Sequence, residues 1–326
     1  IKDKCTFIKG DVRNKDDWQK SIENQEIIIH LASETGTGQS MYEVEKYNDV
    51  NIMGTAYMLE LLANSNHNIK KIVVASSRAI YGEGKYNCKT HGFQYPFQRK
   101  EEDMKKGDFN LKCSICNSNM HMVATDEQSK IYPSSIYGIT KQQQEQMVML
   151  MGDSLGIQSV AFRYQNVYGP GQSLSNPYTG ILSIFSTRIL NGNNLDVYED
   201  GLESRDFVYI DDVVDATILG IEKEEANGEI FNVGSGTAIT VKEVAESLKK
   251  FYDSDISISI SGKYRLGDIR HNFADSNKAN ALLGYTPKFN FHQGIAKFVS
   301  WVKTQEIKED KYENTVQELK DKGLIK

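Results

Sequence analysis

The stretch Lys71-Ile72-Val73-Val74-Ala75-Ser76-Ser77 constrains the fold more than any other part of this chain. A short apolar run rich in β-branched residues reads as a buried strand, and this one ends in two hydroxyls. A second apolar run, Ile27-Ile28-Ile29-His30-Leu31-Ala32, leads into a glycine-containing loop, and Cys5-Thr6-Phe7-Ile8-Lys9-Gly10-Asp11 reads as a further strand and its turn. Up to about residue 166 such runs alternate with helix-like stretches, of which 47–64 and 138–155 are long and apolar on one face. A parallel sheet with crossover helices requires that alternation. Ligands of open sheets bind beyond the carboxyl ends of the strands, which puts Ser76 and Ser77 where chemistry takes place.

Tyr137-Gly138-Ile139-Thr140-Lys141 stands at the start of the second helix candidate. Residues four apart share a helix face, so the ammonium can lie beside the phenol. A free tyrosine titrates near ~10. A neighbouring cation favours the phenolate, which makes Tyr137 a usable base near neutral pH. Alone, the spacing describes a surface helix pair equally well. Beside a strand that ends in Ser77 it describes a site.

A chain of 326 residues has room for two domains. With 38 basic against 44 acidic residues and no long basic run, nucleic acid and anionic membranes are not expected partners. The apolar runs are strand-sized, so no membrane span is expected. Four cysteines do not make a secreted disulfide scaffold, and a cytoplasmic protein is the expectation. After about Gly169 the sequence becomes loop-rich, which places a smaller domain at 167–326. Strands near 207–210 and 230–233 are expected to return to the main sheet. The charged tail beyond Lys303, with sparse Tyr312, Val316 and Leu319, reads as a solvated terminal helix.

These landmarks resemble the extended short-chain dehydrogenase/reductase superfamily, within it the nucleotide-sugar epimerases and dehydratases. The resemblance is carried by Gly10-Asp11-Val12-Arg13, His30-Leu31-Ala32, Asn51-Ile52-Met53-Gly54-Thr55, Ser76-Ser77-Arg78-Ala79-Ile80-Tyr81-Gly82 and the Tyr137/Lys141 pair. It continues through Arg163-Tyr164-Gln165-Asn166-Val167-Tyr168-Gly169-Pro170-Gly171, Arg205-Asp206-Phe207-Val208-Tyr209 and Phe231-Asn232-Val233-Gly234. It implies a Rossmann-like doubly wound parallel sheet over 1–166 that binds NAD, with a smaller α/β domain for the sugar nucleotide. It further implies that Ser77, Tyr137 and Lys141 are catalytic, and that Asp11, Leu31, Ala32 and Asn51 line or support the cofactor together with Tyr137 and Lys141. Substrate contacts would come from Ser77, Asn166, Arg205, Arg265 and Asp268. The helices at 47–64 and 138–155 would form a homodimer interface, and the loops 34–42 and 173–180 would shape the sugar pocket. His30 reads as a satisfied strand-end histidine. Arg163 and Arg270 are open to either an ion-pair or a site role.

Family members begin with a strand and a G-x-x-G-x-x-G turn that holds the dinucleotide pyrophosphate. Gly36-Thr37-Gly38, Gly82-Glu83-Gly84 and Gly234-Ser235-Gly236 lack the third glycine, so the first strand and glycine turn are expected to be missing here. The 4,6-dehydratases and sugar-acid decarboxylases carry a carboxylate just after the serine. Arg78, Ala79 and Ile80 supply none, which leaves a 4-epimerase, with a net oxidoreductase as the alternative. Arg78 itself departs from the small residue of UDP-galactose 4-epimerases. It either reads the substrate or packs outward.

Ser77 and Tyr137 are also further apart than in those epimerases. The excess, an insertion at about 84–125, contains Cys88-Lys89-Thr90-His91 and Cys113-Ser114-Ile115-Cys116. Cys88, His91, Cys113 and Cys116 supply four soft ligands at knuckle spacing, which suits tetrahedral structural zinc. A redox pair of Cys113 and Cys116 is the alternative. The segment 34–42, the Ser77-Arg78-Ala79 turn and this insertion together most resemble the dTDP-L-rhamnose 4-epimerases.

Overall fold

The computed structural model describes residues 4–176, 178 and 180–326. Pro177 and Thr179 of the 173–180 loop lie outside the described residues. Four parallel strands form the main sheet, in the order Ile27–His30, Lys71–Ser77, Gln158–Tyr164 and Ile230–Val233. Alternate residues of a strand face opposite sides, so Ile72 and Val74 pack with Met58, Leu59, Leu62 and Val148 of one helical layer. Val73 faces the other layer, with Val213, Ala216, Ala279 and Leu283. Burial on both faces explains why the strand shows no polar alternation. Each such side chain contributes about 1.5–3 kcal/mol on leaving water. The arrangement is the expected Rossmann-like α/β sheet.

A separate core of Tyr168, Leu182, Phe185, Leu195, Phe207, Val244, Leu248, Ile295 and Phe298 marks the smaller α/β domain. Two of its helices, Val241–Tyr252 and Phe291–Val302, open on reciprocal capping boxes, Thr240 with Glu243 and Asn290 with Gln293. The insertion forms its own antiparallel sheet from Tyr86–Cys88, Gly92–Gln94 and His121–Met122. Among the described residues no helix is long and apolar enough to cross a membrane.

Three expectations are corrected. Residues 5–8 form no strand, and Phe7 is 88% exposed. A strand exists only with a neighbour to take its backbone hydrogen bonds, and among the described residues none pairs with this segment. Strand Ser204–Tyr209 does not join the main sheet. It pairs with Asn166–Tyr168, Ala238–Thr240 and His271–Asn272 in a second sheet, because the chain leaves the main sheet at Gln165 and takes a new partner. The tail is docked, not solvated. Tyr312, Val316 and Leu319 stand at i, i+4 and i+7, one helix face, and that face of Tyr312–Asp321 buries against Tyr198 and Ile325.

Candidate active site and metal cluster

Strand Lys71–Ser77 ends against the first turn of the 20-residue helix Ile136–Leu155. Ser135 caps that helix by accepting from the Gly138 N–H at 3.1 Å. Gly138 is required by the approach: a Cβ there would sit 2.6 Å from the Ala79 carbonyl oxygen. Close contact between helix and strand end brings Tyr137 beside Ser77. The Ser77 Oγ accepts from the Ala79 N–H at 3.1 Å, which leaves its proton for another partner. Tyr137 is held from behind by its own N–H, which donates to Ser40 Oγ at 3.1 Å, and by the edge of the Tyr47 ring.

Burial raises the Tyr137 phenol above its ordinary value, while Ser77 and the Arg78 guanidinium act to lower it. Lys141 lies one turn further along the same helix. Its Nζ donates to Gln144 Oε1 at 2.7 Å, and burial lowers its pKa to about 7. Gln144 Nε2 donates to Thr55 Oγ1, which in turn donates to the Asn51 carbonyl and meets His30 Nε2 at 2.9 Å. This buried ammonium bonds one neutral amide and has donors to spare. That chemistry fits the hydroxyls of a nicotinamide ribose.

Asn51 sits in a π-helical stretch, Asn48–Met53. The widened turn aims its amide across the site: it donates to Thr140 Oγ1 at 2.9 Å and accepts from the Glu34 N–H at 2.7 Å. Leu31 and Ala32 are exposed at the carboxyl end of strand Ile27–His30. Asp11 is exposed as well. Its carboxylate holds Arg13 at 2.6 Å, and that bond lowers its pKa to about 2.

Arg78 turns inward. Its Nε donates to Asn166 Oδ1 at 2.9 Å, and it borders a cleft with Thr37, Ala79, Ser135, Gly267 and Asp268. An adjoining cleft is bordered by Arg265, Asp268, Met41, Leu319 and Leu324. Arg265 lies over the Tyr198 ring at 5.2 Å, and its buried Nε has no hydrogen-bond partner among the described residues. Arg205 donates both Nη groups to the carbonyls of Ser204, Ile269 and Arg270. Such orphaned and carbonyl-bound guanidinium groups can take an anionic oxygen.

Arg163 is an ion-pair residue: it meets the Glu145 carboxylate at 2.6 and 3.0 Å, both side chains buried. Arg270 pairs in the same way with Glu199 and Asp200. The sequence reading missed Arg99, whose buried side chain bonds Glu199 at 2.7 Å and the Asp268 carbonyl at 2.9 Å. Partners about 100 and 170 positions away leave no spacing to read.

The four predicted metal ligands converge. Their ligand atoms all lie within 4.8 Å of one another, although Cys88 and His91 come from one arm of the insertion and Cys113 and Cys116 from the other. Cys88 and Cys116 Sγ are 3.6 Å apart, and His91 Nδ1 lies 3.7 Å from Cys88 Sγ and 3.5 Å from Cys113 Sγ. Tetrahedral zinc with bonds of about 2.3 Å to sulfur and 2.0 Å to nitrogen has ligand edges of about 3.8 and 3.5 Å. The cluster therefore has the size of a metal cradle.

The sequence profile of the NAD dependent epimerase/dehydratase family matches residues 1–104 and 117–234, with its gap inside the insertion. The dTDP-L-rhamnose 4-epimerase of Burkholderia thailandensis is 33% identical over 305 residues, which cover 93% of this chain and 82% of that protein. A putative UDP-glucose 4-epimerase of Methanocaldococcus jannaschii is 29% identical, over 93% of this chain and 86% of its own. The crystal structure of UDP-glucose 4-epimerase from Thermotoga maritima, with UDP-glucose, is similar at a TM-score of 0.74 and 28% identity, covering 93% of this chain and 86% of that one.

Proposed function

Because the chain belongs to the NAD dependent epimerase/dehydratase family, we propose that it is a 4-epimerase of a nucleotide-activated sugar, with dTDP-L-rhamnose as the substrate. The observation that carries this reading is the strand end itself. The helix start that carries Tyr137 packs closely on the turn after Ser77, and the next three positions, Arg78, Ala79 and Ile80, hold a cation and two apolar groups where an elimination would need a carboxylate. Resemblance to the Burkholderia enzyme supports the sugar.

Bound NAD would supply the acceptor and donor of the hydride at carbon 4 of the sugar. Tyr137 takes the proton of the 4-hydroxyl as its hydride leaves, and returns it when the hydride comes back to the other face. Ser77 donates to the same oxygen and steadies its developing charge. Arg78, anchored on Asn166, is a fixed cation that favours the Tyr137 phenolate. Lys141 holds the nicotinamide ribose. Asn51 fixes the loop at Glu34. Arg205, Arg265 and Asp268 hold the nucleotide diphosphate and its ribose. Leu31 and Ala32 line the cofactor beyond the strand end, and Asp11 contacts its adenine once Arg13 is shared or displaced. The 34–42 loop and the described residues of 173–180 would shape the sugar pocket. Cys88, His91, Cys113 and Cys116 hold structural zinc, since a filled shell of four protein ligands leaves no open position for catalysis. The helices at 47–64 and 138–155 make a homodimer interface, with exposed Met53 and Leu150 available for it.

Proton NMR of the holoenzyme with dTDP-L-rhamnose tests the reading. The 4-epimer should accumulate without consumption of added cofactor, and Tyr137→Phe should abolish it. Turnover of UDP-galactose alone would move the substrate. Turnover that consumes NAD or NADPH stoichiometrically would overturn the epimerase.

A further inference from the structure

We infer that the Cys88/His91/Cys113/Cys116 cluster, loaded with zinc, is the clamp that holds the substrate-nucleotide loop in place, with Arg99 as its positioning residue. The inference rests on the reading that Arg265 and Asp268 bind the sugar nucleotide. The ligand pairs close the two ends of the segment between His91 and Cys113, and that segment makes two separate contacts with the loop. Arg99 Nη2 donates to the Asp268 carbonyl at 2.9 Å. Its Nη1 reaches Glu199 at 2.7 Å, the carboxylate that also receives Arg270. Met104 and Phe109, in turn, form an apolar cluster with Tyr264 and Leu266, the neighbours of Arg265 on either side.

The insertion has only small cores of its own. One, made of Tyr86, Leu111, Met120 and Met122, is built around Cys88 and Cys113, two of the metal ligands. A small module of this kind gains its folding free energy from the metal. Without the ion the closure at the two ends of 92–112 opens, and the segment is left to its strand pairing at Gly92–Gln94 and to the Arg99 and Phe109 contacts themselves. The reacting groups Ser77 and Tyr137 stand on the main sheet and the helix beside it, and the segment meets that helix ahead of its cap, where Gln98 Nε2 donates to the Ser134 carbonyl at 3.2 Å. Loss of zinc should therefore weaken nucleotide binding and raise KM, with kcat at saturating substrate nearly unchanged.

The experiment measures zinc by mass spectrometry and dTDP affinity by calorimetry on the purified protein, after chelation, and after zinc is restored. One zinc per chain is expected, with dTDP binding about tenfold weaker on removal and recovered on addition. Arg99→Lys keeps the charge and the metal ligands but not the two-pronged fork, so it should retain zinc and still bind dTDP several-fold more weakly. A chain that takes up no zinc, or unchanged dTDP affinity in Arg99→Lys, would overturn the inference. Failure of the underlying reading is separate: there Arg265→Ala would bind dTDP as the wild type does.

Discussion

Glu145 is where a single substitution tests the packing beneath the site. Its carboxylate and the Arg163 guanidinium are 2% and 3% exposed and share two hydrogen bonds, of 2.6 and 3.0 Å. Ser76 donates to the same carboxylate, which ties the strand next to Ser77 to the helix that carries Tyr137. In Glu145→Ala the guanidinium keeps only the Tyr81 hydroxyl and the Glu127 carbonyl. Removing one partner of a buried pair costs about 3–5 kcal/mol. At the lower end of the shift per kcal/mol, as suits a long chain, that is a fall in Tm of roughly 6–10 °C. Replacing both residues by methionine should recover most of the loss, because an apolar pair of similar volume is often neutral or stabilising. Urea unfolding followed by circular dichroism measures both. A loss under about 1 kcal/mol, the scale of a surface pair, would refute the reasoning. So would a double variant no more stable than Glu145→Ala.

Arg78→Met removes a cation that favours the Tyr137 phenolate, so the rise of kcat/KM with pH should move to higher pH; a pH-rate profile checks it. Lys141 carries the opposite linkage. Its folded pKa of about 7 lies below the ordinary 10.5, so between those values the unfolded chain binds a proton that the folded chain does not, and stability from this group rises with pH. Urea midpoints should show the wild type gaining on Lys141→Met from pH 7 to 10. Val316→Asp puts a charge in the buried face of helix Tyr312–Asp321, whose continuation pairs Leu324 and Lys326 with Leu266 and Tyr264. It should raise KM for the sugar nucleotide several-fold and leave kcat near the wild-type value, in steady-state kinetics.

Local patterns were legible in the sequence: the burial of Lys71–Ser77, the long helix over 138–155, and the Cys/His spacing that closes into a cluster. Properties that depend on distant partners were not. Nothing in the residues 5–8 says that a neighbouring strand is needed, and nothing at Ser204–Tyr209 says which sheet supplies one. The terminal helix misled because three apolar residues in a charged segment look sparse, whereas at i, i+4 and i+7 they make a complete docking face. Y-x-x-x-K spacing places Tyr137 and Lys141 on one helix face but does not say where the ammonium points. Gln144, a further turn along, takes it, and Arg78 from the neighbouring strand end is a cation that acts to lower the phenol's pKa.

The most direct test of the account is turnover of dTDP-L-rhamnose carrying deuterium at carbon 4, in ordinary water, followed by NMR. Oxidation and return at carbon 4, with Tyr137 moving only the hydroxyl proton, predicts the 4-epimer with its deuterium retained and no product from Tyr137→Phe. Epimer that has exchanged its carbon-4 deuterium for solvent hydrogen, or a Tyr137→Phe variant that turns over at the wild-type rate, would contradict it.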